Sequence, residues 1–236
     1  MNSEAKQKIQ LVLILVIAVA ALRAGYVVYQ RHSEKVEKAA KPAPPLNPDY
    51  YVVPKKLYPF DLKSAKQLTQ QPVWVKEGYR FTYYPYDRAR RRVDFTREAG
   101  LLLPIQKLEV KDVVIDASPH SAHLEQVMAV FDLEGKSYAV PIGSKTGDSY
   151  QIYSDEMFFV QAPRDLYKHW PADVWQSIEQ HQIKPGMNEF QAYFAIGMGV
   201  PERSSDPAVK TVHYPNGGKP VTITFRDGKA TEISGG

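Results

Sequence analysis

The chain has 236 residues, no cysteine, and a formal net charge of +4 from 30 Lys and Arg against 26 Asp and Glu. The absence of cysteine excludes disulfides, thiolate metal sites and lipidation at a cysteine. Residues 1–49 hold seven Lys and Arg against four Asp and Glu, and the remainder holds 23 against 22, so the basic excess flanks the N-terminal hydrophobic segment instead of forming a nucleic-acid face.

Residues 1–8 are a short polar tail with Lys6 and Lys8. Residues 9–22 are apolar except for Gln10, Arg23 interrupts, and 24–29 continue the run to Tyr29. As a helix, 9–29 is about 31 Å long at 1.5 Å per residue, enough for a bilayer core of about 30 Å. This predicts a single transmembrane helix, with Arg23 snorkelling and Tyr26 and Tyr29 at the interface. A cleaved signal peptide behind Lys6 and Lys8 and a buried core helix are the alternatives. Arg31, Lys35, Lys38 and Lys41 after the segment outnumber the two lysines before it, which argues against export of the body by the positive-inside rule.

Residues 30–49 are charged and then Pro-rich (Pro42, Pro44, Pro45, Pro48), the composition of an extended spacer. Residues 50–163 read as a β-rich domain. A short helix is expected at 61–70 with Asp61 as its cap. Aromatic and β-branched runs then recur at 73–75, 79–86, 93–95, 101–115, 126–131, 137–142, 150–153 and 157–160. Turns are expected at Glu134-Gly135 and at 145–148. Many short strands without intervening helices point to a small barrel of SH3-like type.

Three constellations in this domain could carry chemistry. Arg88, Arg90, Arg91 and Arg92, beside Tyr83, Tyr84 and Tyr86, form either an anion or lipid-headgroup patch or a solvated hairpin tip. His120, His123 and Glu125 could ligate a metal, but a site needs three or four converging ligands and nothing else in the sequence nominates a partner, so no metal is expected. Asp155 and Glu156 read as neighbours on a strand, pointing to opposite faces and unsuited to paired acid–base work. No nucleophile elbow, phosphate loop or dinucleotide fingerprint occurs, so no catalytic residue and no cofactor is expected.

In residues 164–236, a connector with Tyr167 and Trp170 leads to a helix over 172–182. Lys184-Pro185-Gly186 stops it, Asn188 caps a second helix, and Gly197 and Pro201 end that one. Strands follow at 209–214, 221–225 and 230–233, with turns at 216–218 and Asp227-Gly228. Ile183, Gly186, Met187 and Phe190, then Gly197 or Gly199 with Pro201, His213-Tyr214, and 221–229 with Ile233 together resemble the BamE (SmpA/OmlA) outer-membrane assembly lipoprotein family over about 60 residues. The chain departs from it in lacking an acylated N-terminal cysteine, in its large middle domain, and in a longer stretch between Gly197 and Pro201. The resemblance implies a two-layer module for protein contacts in the bacterial envelope, and it favours a periplasmic body.

The expected fold class is α+β: an N-terminal transmembrane helix, a β-rich middle domain, and a C-terminal module of two helices and a three-stranded antiparallel sheet. The expected function is a single-pass protein of the bacterial inner membrane that acts as a non-enzymatic interaction or assembly module. An accessory subunit of a membrane complex, and a ligand-binding or enzymatic middle domain, are the alternatives. A flat aromatic patch would favour the interaction readings, and a pocket with convergent titratable groups the last one.

Overall fold

The structure, a computed structural model, describes residues 14, 16–32, 46–119, 121 and 123–235. The chain divides into Met1–Asn47 and Pro48–Gly236.

In the first unit, residues 16–32 are helical and exposed. The expected transmembrane span is not found. Among the described residues no helix is long and apolar enough to cross a membrane. The described helix has only seven apolar residues, 16–22, before Arg23, and it ends in Gln30, Arg31 and His32. Residues 9–13 and 15 of the expected span lie outside the described residues. The single-pass inner-membrane placement built on the span is corrected with it.

In the second unit, β2 (Thr82–Asp87), β3 (Arg92–Val93), β6 (Val110–Ala117), β7 (Glu125–Leu133) and β8 (Lys136–Thr146) pair antiparallel in the order β3-β2-β8-β7-β6. β4 (Gly100–Leu101) adds to β2 and β9 (Ser149–Ile152) to β8. The β7–β8 turn is Glu134-Gly135, both with positive φ, the conformation of a tight hairpin. No backbone pairing joins β3 to β6, so the expected barrel is not closed by a ladder. Side chains draw the two ends together instead. Asp116 of β6 accepts from the Val93 amide of β3 at 2.6 Å, and Val93, Phe95, Tyr84 and Tyr86 pack on Val114, Met128 and Val130.

A second sheet is small and central. β1 (Val73–Val75) lies between β5 (Lys107–Leu108) and β10 (Phe158–Phe159). Successive strand residues point to opposite faces, and here the two faces serve different cores. Val73, Val75, Leu108 and Phe158 enter an aliphatic core with Leu68, Leu102, Phe131, Val140, Ile142 and Met157. Phe159 enters a second core, and Trp74, opposite it in the ladder, packs against that core. The three short strands are a wall shared by the two halves.

That second core belongs to the C-terminal region. Helix α1 (Ala172–Glu179) contributes Val174, Trp175 and Ile178; helix α2 (Glu189–Ile196) contributes Ala192, Phe194 and Ile196. Asn188 caps α2, accepting from the Gln191 amide at 2.8 Å while Gln191 returns its side-chain oxygen to the Asn188 amide at 2.9 Å. Both helices lie on an antiparallel sheet β11 (Val200–Pro201), β12 (Val209–Tyr214), β13 (Val221–Arg226) and β14 (Lys229–Gly235). The sheet has four strands where three were expected, because the chain after Gly197 runs extended and pairs Val200 with His213.

Candidate functional site

The two halves meet at a seam where the backbone comes unusually close. Gly78 and Tyr79 follow β1, and the Tyr79 amide donates to the Leu102 carbonyl at 2.7 Å. Gly197 ends α2 with φ +83, and a Cβ there would lie 2.8 Å from the Gly78 carbonyl oxygen. A Cβ on Gly217 would lie 2.6 Å from the Tyr79 ring. Only glycine permits this approach at both places.

Beside this seam is a cleft of about 710 Å³. Its floor is aliphatic: Ile183, Ile196, Val221 and Ile233. Its polar lining comes from Tyr79, from Gln180 to Gln182 after α1, and from Asn216 and Lys219 before β13. His181 Nδ1 lies 3.1 Å from the Ala195 carbonyl oxygen. A carbonyl only accepts, so Nδ1 carries the proton, and Nε2 is the ring's open nitrogen. Burial raises the Tyr79 pKa, which keeps the phenol protonated as a donor. Tyr79, His181 and Asn216 all hold left-handed φ, at 61°, 54° and 45°. Such strain in a bulky residue costs about 1–3 kcal/mol and persists only where surrounding structure enforces it.

A different surface lies over residues 48–60. This strap begins with one 3₁₀ turn, Pro48–Tyr51, and continues extended. Val52 packs on the C-terminal core, Leu57 on the middle core, and Pro59 is buried. The outward residues are two lysines, Lys55 and Lys56, and otherwise apolar or aromatic side chains. Val53, Tyr58 and Phe60 expose 86, 70 and 76 % of their surface, and Tyr50 and Tyr51 are also exposed. The strap is pinned by Asp49, whose carboxylate takes the His169 Nε2 at 2.6 Å and the Trp170 Nε1–H at 2.7 Å, with Asn188 Nδ2 at 3.5 Å. Aspartate beside histidine resembles a general-base pair, but among the described residues His169 reaches no hydroxyl to activate. The pair is a latch onto the stacked rings of Tyr167 and Trp170, whose centroids are 4.6 Å apart.

The other residues singled out by sequence fall elsewhere. The arginine run is the tip of the β2–β3 hairpin, and its charges are locally answered. Arg88 grips Asp132 at 2.7 and 2.8 Å and Ser137 at 2.7 Å. Arg90, Arg91 and Arg92 lie 3.7 to 3.9 Å from Asp87, Asp112 and Asp116. Arg23, Tyr26 and Tyr29 are exposed on the N-terminal helix, where Gln30 donates to the Tyr26 hydroxyl at 3.2 Å. His120 lies outside the described residues, His123 is exposed, and among the described residues no three His, Asp or Glu converge as metal ligands. Asp155 and Glu156 sit on a one-turn helix, Ser154–Met157, and not on the expected strand. Reasoning from sequence missed the cleft and the Asp49 latch. The turn at 216–218 was legible, but nothing in the sequence brings it to Tyr79 and His181, and Asp49 and His169 are 120 residues apart.

The chain matches no family model, no curated protein and no solved structure.

Proposed function

We propose that this chain is a non-enzymatic protein-interaction module, and that the strap over residues 48–60 is its contact surface. The observation that carries this reading is the sorting of side chains along the strap: Val52, Leu57 and Pro59 turn inward and Val53, Tyr58 and Phe60 outward, the phase shifting at the exposed pair Lys55-Lys56. A free extended segment has no reason to sort its side chains, and a purely structural strap would be expected to turn polar residues outward. Outward apolar and aromatic side chains on a pinned backbone are what a recognition surface needs, because the ordering cost is met before the partner arrives. The sequence resemblance of the C-terminal region to the BamE family points the same way.

The test is photo-crosslinking in the native host, with a benzophenone amino acid in place of Tyr58 or Phe60 and, as a control, in place of Arg90 on the distant hairpin tip. The expected outcome is a discrete crosslinked protein from the strap positions that is absent from the control and lost in a Val53→Asp background. Equal background from all three positions would refute the reading.

A further inference from the structure

The seam cleft carries charge of one sign over an apolar floor. Among the described residues no Asp or Glu lines it. Lys219 is exposed and forms no ion pair among the described residues. Tyr79 and Asn216 supply a hydroxyl and an amide as donors, while His181, with its proton on Nδ1, offers only an accepting Nε2. Ile183, Ile196, Val221 and Ile233 form a surface that attracts hydrocarbon. One full cation with neutral donors answers one negative charge; a dianion would bring a second charge with no partner, which is costly next to apolar surface. The volume lies in the range of sites that enclose a small ligand, about 300–1,000 Å³.

We propose that this cleft binds an apolar monocarboxylate, with the carboxylate held by Lys219, Asn216 and the Tyr79 hydroxyl and the hydrocarbon laid on the four aliphatic side chains. The shared chemistry has two sources, a free fatty-acid-like molecule or the C-terminal residue of an extended peptide. This site is independent of the strap and does not rest on the interaction reading.

Calorimetric titration of the whole chain tests it with four probes: decanoate, decanol, an N-acetylated short peptide ending in leucine with a free carboxylate, and the same peptide amidated. At least one acid is expected to bind about tenfold more tightly than its uncharged counterpart, the worth of a charge-assisted hydrogen bond. Which acid binds identifies the source. Lys219→Gln changes an exposed side chain, so the variant folds. It should weaken binding about threefold or more, the scale of one exposed charge contact, with an unchanged thermal midpoint. Binding by neither acid, equal binding of acid and neutral probe, or a Lys219→Gln variant that binds as the parent does would each overturn the proposal. A Tyr58→Ser, Phe60→Ser double variant should titrate like the parent, which separates failure here from failure of the strap.

Discussion

The two halves of the second unit solve the same burial problem with different side chains. The middle core is mainly aliphatic, built on Val73, Val75, Val127, Val140 and Ile142 from paired strands, with Leu102 beside them. The C-terminal core is aromatic, built on Tyr167, Trp170, Trp175, Phe194, Tyr214 and Phe225. Aliphatic side chains carry no polar atoms, so the middle core, built from strands with Ala65, Leu68 and Met157 from short helical turns, brings few polar atoms inside. Indole and phenol groups bury more area but bring a hydrogen-bonding atom inside, and that atom needs a partner. Trp170 finds Asp49, Trp175 finds the Tyr167 carbonyl at 3.3 Å, and Tyr214 finds none. The aromatic half therefore recruits distant chain to satisfy itself, and the Asp49 latch and the seam cleft lie there.

The strongest way to break this comparison is to ask whether the halves are separable. Trp170 and Trp175 lie in the C-terminal core and Trp74 packs against it from the shared wall, so in a Trp74→Phe background tryptophan fluorescence reports that half. Phe158→Ala removes a ring from the opposite side of the shared wall. The expected loss is about 3–5 kcal/mol, and urea titrations followed by tryptophan fluorescence and by far-ultraviolet circular dichroism should shift together. An unmoved fluorescence transition would show that the wall does not couple the cores.

Asp49→Ala sharpens the claim that buried polar tips govern the aromatic half. It leaves the Trp170 indole N–H and the His169 imidazole without their acceptor, and should cost about 1.5–3 kcal/mol. Asp49→Asn, which keeps one accepting oxygen, should recover part of that loss in the same titration.

The smallest effect at neutral pH should come from Tyr214→Phe. The Tyr214 hydroxyl is buried without a partner, so its removal should be neutral or stabilising by up to about 1 kcal/mol. High pH enlarges the difference. Burial raises the Tyr214 pKa above its ordinary value of 10.0, so the unfolded chain loses this proton first. The associated stability is fully present below pH 10 and is lost as pH rises toward the folded-state value, at about 1.4 kcal/mol per pH unit. Comparing the midpoints of parent and Tyr214→Phe at pH 9 and pH 11 measures it. A parent no more alkali-sensitive than the variant would contradict the assignment.

Features set by near neighbours were legible in the sequence. Asp61 caps the turn Leu62–Ala65 through Ser64, Asn188 caps α2, and glycine marks the hairpins at Gly135 and Gly228. Features set by distant chain were not. The apolar run 101–115 suggested one strand, yet it is cut into three because Ile105 adopts φ 48° and its amide turns to Val75. The wall strands are two or three residues long, too short for any period to show. Hydrophobicity alone overstated the N-terminal segment, since length was counted across Arg23. The cleft was invisible because its members, Tyr79, His181 and Asn216, are recruited from three separate turns.

The wall holds one further consequence. A strand that slips by one residue usually exposes its apolar face, and that penalty polices register. Here the sequence through β10 is Met157-Phe158-Phe159-Val160, apolar at every step. A slipped strand would still send hydrocarbon into both cores. Register must instead be policed by backbone geometry: the Lys76 amide on the Met157 carbonyl at 2.8 Å, with the one-turn helix Ser154–Met157 fixing where the strand begins. The segment most shared by the two halves is thus the one whose side chains discriminate least between correct and shifted assembly, and a short turn acts as its ratchet.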